Sequence, residues 1–239
     1  MHPDQRGADI ELMADAPAPG DVPRRRPGRP RHTEPSSAYV NRLNEIIETG
    51  IRVFHERGYD AGTLDDVASM LGLRRASLYH YLNGKGELLY LIFDRAITTA
   101  LGRLDEISAI GAPREQLIAF VAHQIRMVGN DPSLFAVAFD QRCRIEDEFN
   151  ERIRLKERAY LYGVTAMVER SSASGALRGV DCRQAAHALI GMTTWLYKWF
   201  DPTRDDLDDV TRTMVRLILG DEADLDDVLV GSTSQDCTP

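Results

Sequence analysis

Between Val67 and Gly86 the chain carries no acidic residue, and Arg74, Arg75, Ser77, Tyr79, His80 and Lys85 all fall in or beside one short stretch of it. These side chains suit non-covalent recognition of a polyanion. A guanidinium can pair bidentately with a guanine edge, hydroxyl groups can hold phosphates, and Ala76 is small enough for close approach. Bond-making chemistry has no comparable support. No nucleophile stands with a base at a recognisable spacing, and no glycine-rich loop could cradle a phosphate. Cys143, Cys182 and Cys237 are odd in number and far apart, so neither a disulfide framework nor a metal site is indicated. The expectation is no catalytic residue, no metal, no cofactor and no enzyme.

A second basic group lies at residues 23–31, PRRRPGRPR. Its R-P-G-R-P-R is similar to the AT-hook core, in which an extended Gly-Arg-Pro lies in the narrow minor groove of A·T-rich DNA. That likeness implies that Arg26, Arg29 and Arg31 seek the minor groove. A solvated basic tail that raises only non-specific affinity explains the composition equally well. Either way, deleting residues 1–34 is expected to weaken DNA binding and flatten its salt dependence. The formal net charge of −8 by itself opposes such a partner, but its distribution does not, because acid gathers at residues 205–209 and 221–227. The chain thus has a basic working end and an acidic remainder.

The elements that must position these residues read as helices. Leu43, Ile46, Ile47, Gly50, Ile51 and Phe54 recur at i, i+3, i+4, i+7, i+8 and i+11 as one stripe, and Gly58 is the expected stop. Thr63 stands as an N-cap with Asp66 three residues on, opening a short second helix with Leu64, Val67, Ala68 and Leu71 on one face. Gly72 suits a tight turn, and residues 75–82 form a third short helix with Leu78 and Leu82 facing inward. A fourth helix begins near Lys85. Further helices are expected over 113–129, 132–144, 146–172, 183–200 and 205–219, punctuated by Gly, Pro, Asn and Asp. Strict alternation is scarce, so the fold class is all-α.

Residues 46–92 resemble the amino-terminal domain of the TetR family of bacterial regulators. The likeness rests on Phe54, Gly58, Tyr59 and Thr63, on Val67 and Ala68, on Gly72-Leu73, on Ser77, Leu78, Tyr79 and Tyr81, and on Lys85. It implies a helix-turn-helix whose third helix enters the DNA major groove, presenting Arg75, Ala76, Ser77, Tyr79 and His80. Thr63 would then cap the second helix as its amino end faces a phosphate, with Lys85 on the opposite phosphate. Tyr81 reads better as a packing aromatic, and Tyr79 suits packing and contact equally. Two positions depart from the family pattern. Arg74 replaces a capping Ser or Thr and is expected to contact DNA instead, and Gly86 replaces an acidic residue and is expected to loosen the start of the fourth helix.

The resulting organisation is an Arg/Pro-rich tail (1–36), a three-helix reading domain (37–86), a larger helical effector-binding and dimerisation domain (87–221) and an acidic tail (222–239). The two tails lack the apolar residues that would order them. The 43% hydrophobic content supports a sizeable core in the remainder. Apolar residues occupy nearly every side of 185–200, so that helix is expected to be buried on more than one face. Leu207, Val210, Met214, Leu217 and Ile218 form a seam on the next helix, suited to a four-helix homodimer interface that would set two reading heads about 34 Å apart on a palindromic operator.

GMTTWLYKWFDP (191–202), with FDQRCR (139–144) and KERAY (156–160), is similar to a TetR branch that senses acyl-CoA thioesters. This likeness implies an effector pocket with Arg142, Arg158, Tyr160 and Trp195, although these arginines also fit a solvated helix face. A regulator of efflux or stress genes sensing an uncharged apolar ligand is the alternative, and an architectural DNA protein is the alternative of another class. No apolar run reaches the roughly 18 residues of a membrane span, and MHPDQRGADI lacks signal-peptide order. The expected location is cytoplasmic.

Overall fold

The isoleucine stripe of the first helix is buried as its period requires. In α1 (Ser37–Ala61), Ile46, Ile47, Ile51 and Phe54 all lie in the core. Such observations come from a computed structural model that describes residues 36–220. Arg26, Arg29 and Arg31, and the acidic tail expected from 222 onward, lie outside the described residues. The expected stop at Gly58 is a kink: its backbone is non-helical (φ 78, ψ 159), and the chain coils once more before Ala61.

α2 (Leu64–Met70) and α3 (Arg75–Leu78) meet across a turn in which Gly72 takes φ 63, a left-handed conformation that side chains disfavour. The Leu73 N–H donates to the Ala68 carbonyl at 2.8 Å, and Ala68 and Leu78 are both buried at the crossing. The third helix is shorter than the expected 75–82. After Leu78 the His80 and Tyr81 amides donate to Ser77 and Leu78, three residues back, which tightens the coil. The Leu82 amide returns to Leu78 at 3.0 Å, so both leucines still face the core.

α4 (Lys85–Ser108) is one continuous helix, so the expected domain boundary at 86 falls inside its first turn. The remainder comprises α5 (Pro113–Asn130), α6 (Pro132–Asp140), α7 (Asp147–Ala173), α8 (Cys182–Thr194) and α9 (Leu207–Leu219). Proline opens α5 and α6, and Asp131, Asp181 and Asp206 cap α6, α8 and α9 through their side chains. α4 packs on α7, α5 touches α7, α8 and α9, and α6 lies against both α1 and α4. One hydrophobic cluster runs through all of them. No strand occurs among the described residues.

Two expected helices are divided. Residues 132–144 break after Asp140, and Arg142–Arg144 form a separate 3-10 turn. Residues 183–200 leave the α-helix at Thr194 and finish as a 3-10 turn, Trp195–Lys198. The burial expected on several faces is also not met within one chain. α8 packs on α7 and α5 and buries Ala186, Leu189 and Thr193, whereas Trp195 and Trp199 remain 58% and 42% exposed.

Candidate functional site

The outer side of α3 presents the basic segment to solvent. Arg74, Arg75, Ala76, Tyr79 and His80 are exposed, Ser77 is half-buried, and Leu78 alone points wholly inward. Arg74 occupies the N-cap position of α3 without a side-chain cap bond, so its guanidinium is not spent on the helix end. Arg75 donates to Asp65 of α2 at 2.8 Å and to the Tyr79 hydroxyl at 3.2 Å. These exposed contacts orient the guanidinium and can be exchanged for DNA at little cost. Tyr81 instead stacks on Tyr39 with ring centroids 4.9 Å apart, in keeping with a packing role.

Thr63 and Asp66 close a reciprocal capping box at the start of α2. The Asp66 N–H donates to the Thr63 hydroxyl oxygen at 3.1 Å, while the Thr63 N–H and hydroxyl donate to the Asp66 carboxylate. Those bonds from Thr63, with Arg57 nearby, hold the Asp66 pKa below the usual carboxylate range. Lys85 already has partners within the chain. It is half-buried, with its ammonium 4.3 Å from the Tyr59 ring centroid and donating to the Asp60 carbonyl at 3.2 Å. Burial lowers its pKa. An ammonium has three donors, so this pose leaves capacity for a phosphate.

Gly86 is buried in the first turn of α4. A Cβ there would overlap the Glu146 carboxylate, which thus lies against the first turn of α4. A helix amino terminus favours negative charge, and Glu146 adds there to Glu87, which already stands in that first turn and accepts from the Asn83 N–H. Beside it, Arg144 makes a bidentate pair with Asp60 at 2.8 and 2.9 Å. The corner between α6 and α7 thereby grips the reading head.

Inside the larger part, α4 through α8 enclose a cavity of about 240 Å3. α4 contributes Phe93, Ala96, Ile97 and Ala100, while Phe135, Ala138 and Phe139 come from α6. α5 adds Gln124 and Met127, α7 adds Glu157, Tyr160 and Leu161, and α8 adds His187, Ile190 and Thr194. A shallower polar cleft shares Phe139 and Glu157 with this chamber and adds Arg142, Asp147, Asn150 and Arg154, so that two arginines face two carboxylates. At the shared wall, Arg142 grips Glu157 at 2.8 and 3.0 Å, and its guanidinium lies 5.2 Å from the Phe93 ring centroid.

Of the four residues expected at an effector pocket, only Tyr160 lines the chamber. Arg142 stands at its edge, in the cleft. Arg158 points outward to Glu151, and Trp195 sits outside the chamber because the 3-10 turn after Thr194 rotates it away. Sequence reasoning missed Gln124, Glu157 and His187. A glutamine amid Leu117, Val121, Ile125 and Val128 on the buried side of α5 was the available signal for the first.

Together, an outward basic helix-turn-helix and a mostly apolar chamber beside a charged cleft can bind DNA and a small molecule at separate places. Comparison with known proteins agrees. The family model for "Bacterial regulatory proteins, tetR family" matches residues 46–90, and that for "Tetracyclin repressor-like, C-terminal domain" matches 111–221. The "Fatty acid metabolism regulator protein" of Bacillus subtilis is 22% identical over 159 residues, 64% of this chain and 82% of that protein. Among solved structures, AibR in complex with isovaleryl coenzyme A and operator DNA superposes with TM-score 0.69 at 25% identity, covering 75% of this chain and 98% of AibR. The TetR-family regulator PfmR from Thermus thermophilus gives TM-score 0.69 at 27% identity over 74% and 99% of the two chains.

Proposed function

Because this chain belongs to the TetR family of bacterial transcriptional regulators, we propose that it is a homodimeric repressor of a palindromic operator, released by an effector of the acyl-CoA class. Residues 37–86 are the reading domain and 87–221 the effector and dimerisation domain. Arg74, Arg75, Ala76, Ser77, Tyr79 and His80 meet the DNA major groove and its phosphates, with Thr63 and Lys85 on flanking phosphates. Arg26, Arg29 and Arg31 extend the contact toward the minor groove.

The observation that carries the effector class is the two-part site. An apolar chamber and an arginine-bearing cleft share Phe139 and Glu157 as a common wall, as suits a molecule with an acyl body and a phosphate-bearing head. An engineered 150 Å3 cavity admits benzene, so about 240 Å3 suits roughly eight to ten carbons. The names of the fatty-acid regulator and of the isovaleryl-CoA complex point the same way. A head that takes Arg142 from Glu157 acts on the 3-10 turn that also carries Arg144, and so on the hold over Asp60. The acyl body meanwhile presses on α4, the helix that enters the reading head.

The test is operator release, followed by fluorescence anisotropy, as CoA esters from two to twelve carbons, free coenzyme A and matched ethyl esters are titrated. Medium-chain CoA esters are expected to release the protein at lower concentration than their ethyl esters. Equal potency of the two series removes the CoA head and leaves an uncharged apolar effector. Binding without protection of any palindrome makes the protein architectural, and consumption of the thioester makes it an enzyme.

A further inference from the structure

We infer that the effector bears a hydroxyl group within its apolar part, held between the Tyr160 hydroxyl and the Gln124 side-chain carbonyl. This rests on the chamber being the effector site. Gln124 is 3% exposed and Tyr160 is 6% exposed, on facing helices α5 and α7, and both line the chamber. The Tyr160 Oη and Gln124 Oε1 are buried without a partner in bonding geometry, the Gln124 amide standing close enough to the phenol only to temper its acidity. Buried polar atoms are nearly always paired, and two unpaired ones facing the same apolar space mark what is meant to fill it. Glu157, the carboxylate of the chamber wall, is already committed to Arg142.

The donor and acceptor inventory narrows the group. Gln124 Oε1 only accepts, so its partner must donate; the phenol can donate or accept. Burial pushes the Tyr160 pKa up, tempered by the neighbouring Gln124 amide, so the phenol keeps its proton at neutral pH. A thioester or keto oxygen accepts only, which satisfies Tyr160 and leaves Gln124 unpaired. An ammonium donates but would bury a charge with no counter-ion at the pair. A hydroxyl donates to Gln124 and accepts from Tyr160 through a single oxygen.

The experiment compares octanoyl-CoA with its 3-hydroxy, 8-hydroxy and 3-oxo counterparts, and ethyl octanoate with ethyl 3-hydroxyoctanoate and ethyl 8-hydroxyoctanoate. Binding is measured by calorimetry on the full-length protein and on Tyr160→Phe and Gln124→Met variants whose helicity is verified by circular dichroism. At least one hydroxylated probe is expected to bind the wild-type protein about ten- to a hundredfold tighter than its unsubstituted parent. Each substitution should reduce that preference to about threefold or less, while unliganded Tyr160→Phe melts no lower than wild type because an unpaired buried hydroxyl is gone. Equal binding of hydroxylated and plain probes overturns the inference. So does a 3-oxo probe that matches the best hydroxylated one, or a preference that survives both substitutions. A hydroxyl preference in the ethyl esters without any gain from the CoA head would leave this inference standing while the CoA reading falls. Release by CoA esters with no hydroxyl preference would do the reverse.

Discussion

Arg75 is held only by surface contacts, to Asp65 and to Tyr79, so its value to the folded chain is small and its value to DNA can be measured separately. Arg75→Ala is expected to weaken operator binding about 5- to 150-fold, the range for a lost bidentate base contact, with no measurable change in melting temperature. Arg75→Lys should recover little, because an ammonium cannot reproduce the fork. Anisotropy beside calorimetry decides both. Asp66 behaves in the opposite way, contributing to the fold and not to the reading. Its pKa is lowered by the Thr63 bonds, so its contribution is present above the unfolded carboxylate value near 3.9 and is lost as pH falls through the lower folded value. The melting temperature of Asp66→Asn should therefore lie below wild type by a steady amount from pH 7 to 5. The difference should narrow below about pH 4, and one that persists undiminished at lower pH would show that the carboxylate charge is not what matters.

At the level of elements, the 3-10 turn Arg142–Arg144 occupies the junction between chamber and head. Arg142 faces the chamber wall through Glu157, and Arg144 reaches Asp60 near the end of α1. The turn is itself anchored from behind, because Asp140 at the end of α6 accepts from Tyr197 and Lys198 of the second 3-10 turn. Two arginines two positions apart on a tight turn are constrained to move together, which is the physical basis of the proposed coupling. Arg144→Ala is expected to leave effector-free operator affinity within a few-fold of wild type. The effector-driven loss of affinity, about 5- to 150-fold in typical coupled systems, should shrink severalfold. Operator titrations with and without a saturating medium-chain CoA ester measure the ratio, and an unchanged ratio would confine the pair to a structural role.

On the scale of the whole molecule, the apolar face left by α8 and α9 is the surface proposed for the dimer. Trp195, Trp199 and Leu217 are exposed, Leu217 by 75%, and a groove between the two helices is lined by Met192, Val210 and Met214. Large apolar side chains gathered on one surface mark an interface. Leu217→Glu should leave the helical content of one chain intact, since that side chain contributes almost nothing to its core. Light scattering should report a monomer, and binding to a two-half-site operator should fall far more than binding to a single half-site. A variant that stays dimeric would place the interface elsewhere.

What could be read from sequence follows one physical divide. The stripe of α1, the Thr63 and Asp66 box, the turn at Gly72 and the outward basic face of α3 depend on residues a few positions apart, where backbone geometry alone decides which side chains are neighbours. The early ends of α3 and α8 were less legible, because a helix tightens or stops according to what its last turn packs against. The chamber, the Arg144 grip on Asp60, the acid lent by Glu146 to α4 and the Gln124 and Tyr160 pair were decided only by how the helices cross. Asp60 and Arg144 lie 84 residues apart, and no local pattern specifies which of many exposed acids an arginine will meet until the core has set the distance between them.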